Sequence, residues 1–289
     1  VLQQVEHFNS PSETQNDAFR SVSRYFDRIT RPEQILSSLP QAINTMLDPS
    51  DCGPAVISMS QDVQGEAYEY PEIFFEEIIH EIRTIHPDPK QINIAAENLK
   101  NSKQPIIISG GGVLYSEAEE EISSFAKKHN IPVIATVMGI GCMLKDDPYY
   151  IGATGGLGEG SANNLSRDTD LALAIGTKLA DFTTASWTNF QNENFKLVSV
   201  NTSRFDTVKH RAFPVVSDAK IGLKELSKAL GDWKAPNGWY QRAIEEKNKW
   251  EEYVAKESGP TNQELPSYAH AVGAVYRNSD PSDLSLIHI

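Results

Sequence analysis

The chain has 289 residues, of which 39% are hydrophobic and 22% are charged, and its formal net charge is -13. This length allows roughly two domains of ordinary size. The negative charge argues against nonspecific binding of nucleic acid, because such binding depends on Lys and Arg side chains that neutralise phosphates. No apolar run approaches the roughly 20 residues of a membrane span. The only cysteines, Cys52 and Cys142, lie far apart. Two cysteines this far apart predict a protein without a disulfide framework. The first residues also lack a signal-peptide pattern, so we expect a cytoplasmic protein.

The first 65 residues predict a helix followed by a strand. Apolar residues recur at three- and four-residue spacing between Ile35 and Leu47, which is typical of a helix with one buried face. The short run Ala55–Met59 is bounded by turn residues and predicts a buried strand. The chain starts at Val1 rather than Met, so we expect an upstream portion. Residues 66–90 lose this periodicity and contain several prolines, which predicts a linker.

Residues 91–231 alternate between helix and strand signals, a pattern typical of a parallel sheet covered by helices on both faces. The predicted helices are Ile92–Leu99, Ser116–His129, Ala162–Arg167 and Ala219–Leu230, and the predicted strands are Pro105–Ser109, Ile131–Thr136, Asp170–Ile175 and Phe195–Val200. Ser116 and Glu119 have the spacing of a capping pair, so we expect Ser116 to begin its helix. The sequence therefore predicts an α/β fold with a doubly wound central domain.

The remainder predicts a connector and the beginning of a further domain. Residues 232–264 contain an amphipathic helix, Trp239–Lys256, and residues 265–283 begin another helix. The last six residues, Leu284–Ile289, match the translation of a transposon-derived adapter used in sequencing libraries. We therefore expect them to be an artefact, and the fold prediction leaves out 284–289.

Three glycines follow the predicted strand Pro105–Ser109. Gly110, Gly111 and Gly112 could offer bare backbone amides to a phosphate at the start of a helix. A dinucleotide fingerprint also needs an acidic residue near the end of the next strand, which here ends in Ala135 and Thr136. We therefore favour a tight strand-to-helix turn over nucleotide binding. Residues 155–160 form a second glycine-rich loop before a helix, and here we favour flexible loop chemistry at the rim of the sheet over anion binding.

Polar residues follow two later strands at positions where open parallel sheets bind ligands. Thr177, Lys178 and Asp181 come after one strand, although Asp181 could equally cap a helix. Asn201 and Ser203 come after the next strand. No HExxH pair, GxSxG elbow or catalytic triad is evident. The residues alone thus indicate an α/β protein with a ligand-binding sheet edge.

Several segments resemble thiamine-diphosphate enzymes, in particular the trihydroxycyclohexane-1,2-dione hydrolases of inositol catabolism. The segments that carry this resemblance are residues 16–20, 23–29, 53–56, 61–68, 70–72, 110–113, 115–118, 181–186 and 265–269. The sequence departs from the family pattern at Ser60, where a proline is usual, and at residues 138–141. The resemblance implies that residues 1–65 are the end of a pyrimidine-binding domain and that 265–283 begin a pyrophosphate-binding domain.

The resemblance also implies a chemistry. The family breaks the carbon-carbon bond of a cyclic 1,2-dione to form 5-deoxy-glucuronate, using thiamine diphosphate and Mg²⁺. Its catalytic glutamate would lie upstream of Val1 and its metal motif downstream of Ile289. We therefore expect the residues in hand to be inactive alone and to bind no cofactor tightly. A homodimer or larger homo-oligomer is expected for the intact enzyme. An acetolactate synthase-like enzyme, a decarboxylase or a nucleotide-binding central module remains the alternative.

Overall fold

The computed structural model describes residues 9–10 and 13–280. The described part of the chain forms two compact units. The first runs to His86 and includes Thr202–Arg204, and the second comprises Pro87–Asn201 and the residues from Phe205 onward. The adapter-like segment 284–289 lies outside the described residues. None of the helices described is long and apolar enough to span a membrane.

The first unit contains a two-stranded parallel sheet with a helix between its strands. Strand β1 (Tyr25–Ile29) pairs with β2 (Ala55–Met59), and helix α1 (Ile35–Leu47) connects them. The predicted helix and the predicted strand Ala55–Met59 are both present. The short helix α2 (Gln61–Gln64) follows β2, and 3₁₀ turns occur at Gln15–Val22, Pro32–Gln34 and Glu72–Phe75.

The second unit is built on a six-stranded parallel sheet. Its strands are β3 (Pro105–Ser109), β4 (Val133–Ala135), β5 (Tyr150–Ala153), β6 (Leu171–Ile175), β7 (Lys196–Asn201) and β8 (Phe213–Val216). Their order across the sheet is β5-β4-β3-β6-β7-β8, and all neighbours are parallel. Numbered within this unit, the order is the 3-2-1-4-5-6 arrangement of doubly wound dinucleotide-binding folds. The chain reverses its direction of winding between β3 and β6, so the carboxyl ends of these two strands define the switch point.

Helices cover both faces of this sheet. The helices that pack on the sheet are α3 (Pro89–Asn101), α5 (Glu119–His129), α6 (Gly160–Asp168), α9 (Ala219–Leu230) and α10 (Asn237–Glu257). The shorter helices are α4 (Gly111–Tyr115), α7 (Asp181–Thr184) and α8 (Arg204–Thr207), and the largely exposed helix α11 (Tyr268–Asn278) follows α10 in the chain. Strand β3 shows why two layers are needed. Ile107 packs with buried residues of α3, α5 and α9 on one face, whereas Ile106 and Ile108 pack with α6 and α10 on the other. The predicted doubly wound α/β fold is therefore confirmed.

The predicted helix start at Ser116 is wrong. Helix α4 already ends at Tyr115, and α5 begins at Glu119 with Ala118 as its N-cap. The Ser116 hydroxyl instead accepts a hydrogen bond from the backbone N–H of Ala219, at the start of α9, over 3.4 Å. Strands β1, β5 and β8 were not predicted. The short strands β5 and β8 each contain a residue that disfavours strands, Gly152 and Pro214, and Asp27 and Arg28 interrupt the apolar pattern of β1.

Candidate functional site

The glycines after β3 form a tight contact with the end of β6. The backbone N–H of Gly110 donates to the carbonyl of Ile175 over 2.8 Å, and that of Gly112 donates to Gly176 over 2.9 Å. A Cβ atom on Gly110 would lie 2.4 Å from the Gly176 carbonyl oxygen, so only glycine fits. Two of the amides that a phosphate would need are thus used within the fold. This geometry favours the tight-turn interpretation, and the five-residue helix α4 adds little helix dipole.

The polar residues after β6 and β7 meet in part. The Asn201 side chain donates to the Thr177 carbonyl over 3.3 Å, and the Thr177 hydroxyl accepts from the backbone N–H of Leu179 over 3.3 Å. Lys178 and Asp181 are exposed. Asp181 does not cap α7, since its carboxylate accepts from the Ser186 hydroxyl over 3.1 Å. Ser203 belongs to the first unit, and the other candidate residues belong to the second.

The segment Thr177–Phe190, which we call the β6 loop, contains an unusual backbone. Ala185, Ser186 and Trp187 have φ angles of 49°, 53° and 61°, and Leu179 and Phe190 are also left-handed. This conformation costs about 1–2 kcal/mol for each residue other than glycine. Three such residues in succession persist only where the surroundings hold them, and strain of this kind concentrates at ligand sites. Alanine, serine and tryptophan carry no sequence signal for it.

A buried polar network holds the β6 loop against the loop after β5. Asn163 Oδ1 accepts hydrogen bonds from the Gly155 N–H over 2.9 Å and from the Thr154 hydroxyl over 3.1 Å. Asn189, which is 1% exposed, donates to Thr154 and to Asn163 over 3.3 Å each. The Thr154 and Ser166 hydroxyls are 3.3 Å apart. A fully paired network in a low-dielectric interior fixes a single arrangement, and here it fixes both loops.

Comparison with known proteins identifies the second unit. Residues 92–226 match the family model described as the thiamine pyrophosphate enzyme central domain. This unit is a thiamine pyrophosphate enzyme central domain. The match covers β3 to β8 and extends from α3 into α9.

The match to complete proteins extends beyond the central domain. The chain is 37% identical over 287 residues to a 3D-(3,5/4)-trihydroxycyclohexane-1,2-dione hydrolase of Geobacillus thermodenitrificans, covering 95% of this chain and 44% of the relative. A protein of the same name from Bacillus licheniformis is 44% identical over 238 residues, covering 82% and 37% respectively. One from Clostridium tetani is 39% identical over 269 residues, covering 90% and 42%. The chain therefore spans less than half the length of these relatives.

The glycine-rich loop after β5 lies within the central domain and contacts the β6 loop. Gly155 has a φ of +116°, and a Cβ atom there would lie 2.2 Å from the Phe182 carbonyl oxygen. The Gly156 N–H donates to the same oxygen over 2.8 Å, and the Gly158 N–H donates to Gly155 over 2.9 Å. Both N–H groups are thus used in hydrogen bonds within the protein. These contacts agree with the prediction of a loop at the rim of the sheet rather than an anion-binding site.

Burial favours the uncharged form of three titratable groups in the central domain. Cys142 is fully buried, and burial raises the pKa of its thiol, so it stays protonated and poorly nucleophilic. Burial also raises the pKa of Tyr150 to about 12. His129 is buried as well, and desolvation lowers the pKa of its ring. Within residues 9–10 and 13–280, no group of three or more His, Cys, Asp or Glu side chains is placed to hold a metal ion.

Proposed function

We propose that this chain is part of a thiamine-diphosphate-dependent hydrolase that opens the ring of a trihydroxylated cyclohexane-1,2-dione by breaking a carbon-carbon bond. The observation that carries the proposal is the 37% identity over 287 residues, which runs through both units and beyond the central domain. A match confined to residues 92–226 would support only the wider enzyme family. Three relatives from different organisms carry the same name, which narrows the proposal to this substrate.

Thiamine diphosphate, when bound, supplies an electron sink for cleavage beside a carbonyl group. The described residues offer no metal-ligand cluster, and we assign none of them to the diphosphate or its metal. The contribution we propose for this chain is the carboxyl edge of the central sheet. Thr177, Lys178, Asp181 and Asn201 would line it, while the three glycines from Gly110 to Gly112 shape the switch point without binding phosphate.

Finer features belong to the same proposal. Mg²⁺ would accompany the diphosphate, the intact enzyme would be a homodimer or larger homo-oligomer, and it would act in cytoplasmic inositol catabolism. Residues 1–65 would end a pyrimidine-binding domain, 91–231 would be the central domain, and 265–283 would begin a pyrophosphate-binding domain. The relatives' length, more than twice that of this chain, supports the presence of further domains in the intact enzyme.

The test is an activity assay of the full-length protein. We expect the trihydroxycyclohexane-1,2-dione to be converted to an open-chain sugar acid, observed by proton NMR, only when thiamine diphosphate and Mg²⁺ are both present. Pyruvate serves as the competing substrate, because acetolactate synthase-like enzymes and decarboxylases would consume it. Consumption of pyruvate with no ring opening would replace the proposal with one of those activities.

A further inference from the structure

The β6 loop presents a group of exposed side chains next to the glycine-rich loop. Phe182 is 72% exposed, and Asp181, Ser186 and Trp187 are exposed beside it in sequence. A Cβ atom on Gly156 would lie 3.9 Å from Phe182 Cδ1, so this glycine lies beside the ring. An aromatic ring, a carboxylate and a hydroxyl are thus available on one short segment.

Several contacts hold the backbone of this segment in place although its side chains are exposed. The Ser186 N–H donates to the Asp181 carbonyl over 3.0 Å, and the Trp187 N–H donates to the Thr184 hydroxyl over 3.3 Å. The Trp187 and His210 rings lie 4.3 Å apart. Asn189 anchors the end of the loop in the buried network. A strained loop held by this many contacts is preorganised, which lowers the entropy cost of binding.

The chemistry of the exposed groups selects a neutral, hydroxyl-rich ligand. A carboxylate only accepts hydrogen bonds and has two oxygens with about four acceptor positions, so Asp181 can accept from ligand hydroxyls while it accepts from Ser186. The face of an aromatic ring is electron-rich and attracts the C–H groups of a saturated ring. These features together fit a hydroxylated six-membered ring.

We propose that Asp181 and Phe182 form a subsite for a polyhydroxylated carbocycle, with the Phe182 ring packing on its C–H face and the Asp181 carboxylate accepting its hydroxyl groups. This inference rests on the proposed function for the identity of the reacting substrate. The buried network around Asn163 and Asn189 positions the subsite and does not touch the ligand.

Two measurements on the full-length protein test the subsite. The first is steady-state kinetics with the dione, with thiamine diphosphate and Mg²⁺ present, for Phe182→Ala and Asp181→Asn. We expect KM to rise about tenfold and kcat to change by less than about threefold, because the lost contacts are the same in the ground and transition states. Phe205→Ala is the matched control, because Phe205 is 73% exposed and lies outside the β6 loop. Phe182→Tyr keeps the ring and should restore KM.

The second measurement is saturation-transfer NMR with myo-inositol, a hydroxylated cyclohexane that the reaction cannot open. The signal should be lost in Phe182→Ala and kept in Phe205→Ala. If the wild type opens the dione but neither variant at 181 or 182 changes KM, the subsite is wrong and the proposed function stands. If the wild type does not open the dione, the function is wrong and the NMR experiment decides the subsite. The subsite proposal is overturned if the wild type gives no saturation-transfer signal with myo-inositol, or if the signal persists in Phe182→Ala. Circular dichroism confirms that each variant is folded.

Discussion

The side chain of Asn163 pairs with both backbone polar groups of Gly155. Asn163 Oδ1 accepts from the Gly155 N–H over 2.9 Å, and Nδ2 donates to the Gly155 carbonyl over 3.0 Å. The Asn163 side-chain amide thus makes the two hydrogen bonds that a neighbouring strand would make with Gly155, which lies just beyond the end of β5. Because Asn163 also accepts from Thr154 and Asn189, it joins the two loops of the proposed subsite.

Asn163→Ala should destabilise the chain. It leaves the buried Gly155 N–H without its partner, which costs about 1–3 kcal/mol. The measurement is the free energy of unfolding in urea. Asn101→Ala is the control, since the exposed Asn101 side chain donates to the Glu97 carbonyl of its own helix over 2.8 Å, and it should change stability by less than about 0.5 kcal/mol. Equal effects of the two substitutions would contradict the role assigned to Asn163.

Gly155→Ala should also destabilise the chain, because both its backbone and its surroundings require glycine. The φ of +116° is strained for any other residue, and the new Cβ would lie 2.2 Å from the Phe182 carbonyl oxygen. The backbone strain alone costs on the order of 1–3 kcal/mol. Gly238→Ala is the matched substitution in α10, where nothing lies within 4 Å of the added Cβ, and it should stabilise by roughly 0.5–1 kcal/mol. Thermal melting should move in opposite directions for the two variants.

Trp239 attaches α10 to the central sheet. Its indole N–H donates to the Pro105 carbonyl, at the start of β3, over 2.8 Å, and the side chain is 4% exposed. Trp239→Ala should cost about 3–5 kcal/mol through the cavity it leaves. Trp239→Phe keeps most of the packing and should cost about 1–3 kcal/mol through the unpaired carbonyl. Chemical denaturation measures both, with Tyr253→Ala on the exposed face of the same helix as the control. If the Phe variant matches the wild type, the hydrogen bond contributes nothing.

Stability should fall with acidification because of His129. Desolvation lowers the pKa of this ring in the folded chain, whereas the unfolded chain has the ordinary value near 6.5. The unfolded state therefore binds more protons below about pH 6.5, and the free energy of unfolding decreases as the pH falls through that window. Urea midpoints at pH 7.5 and 5.5 should differ more for the wild type than for His129→Gln. An unchanged difference would assign the pH dependence to other groups.

The regular elements with strong local patterns were predictable from the sequence. Strand Pro105–Ser109 and helix Ala219–Leu230 have the predicted bounds, because a buried strand is a continuous apolar run and an amphipathic helix has a regular period. The edge strands β5 and β8 were not predicted, since Gly152 in β5 and Pro214 in β8 are residues that disfavour strands. The capping prediction at Ser116 failed because it rested only on the spacing of Ser116 and Glu119. That spacing cannot reveal that the Ser116 hydroxyl accepts a hydrogen bond from the first residue of α9, Ala219.

The sequence by itself therefore determined the class of fold, the family resemblance and the position of the glycine turn after β3. Gly110 and Gly112 were predicted to form a tight turn, and their partners, Ile175 and Gly176, became visible only when β3 and β6 were placed side by side. The left-handed turn at Ala185–Trp187 and the pairing of Asn163 with Gly155 were decided by the tertiary structure alone. The physical reason is that local propensity acts over a few neighbouring residues. Strain and buried hydrogen bonds, in contrast, depend on groups that only the folded chain brings together.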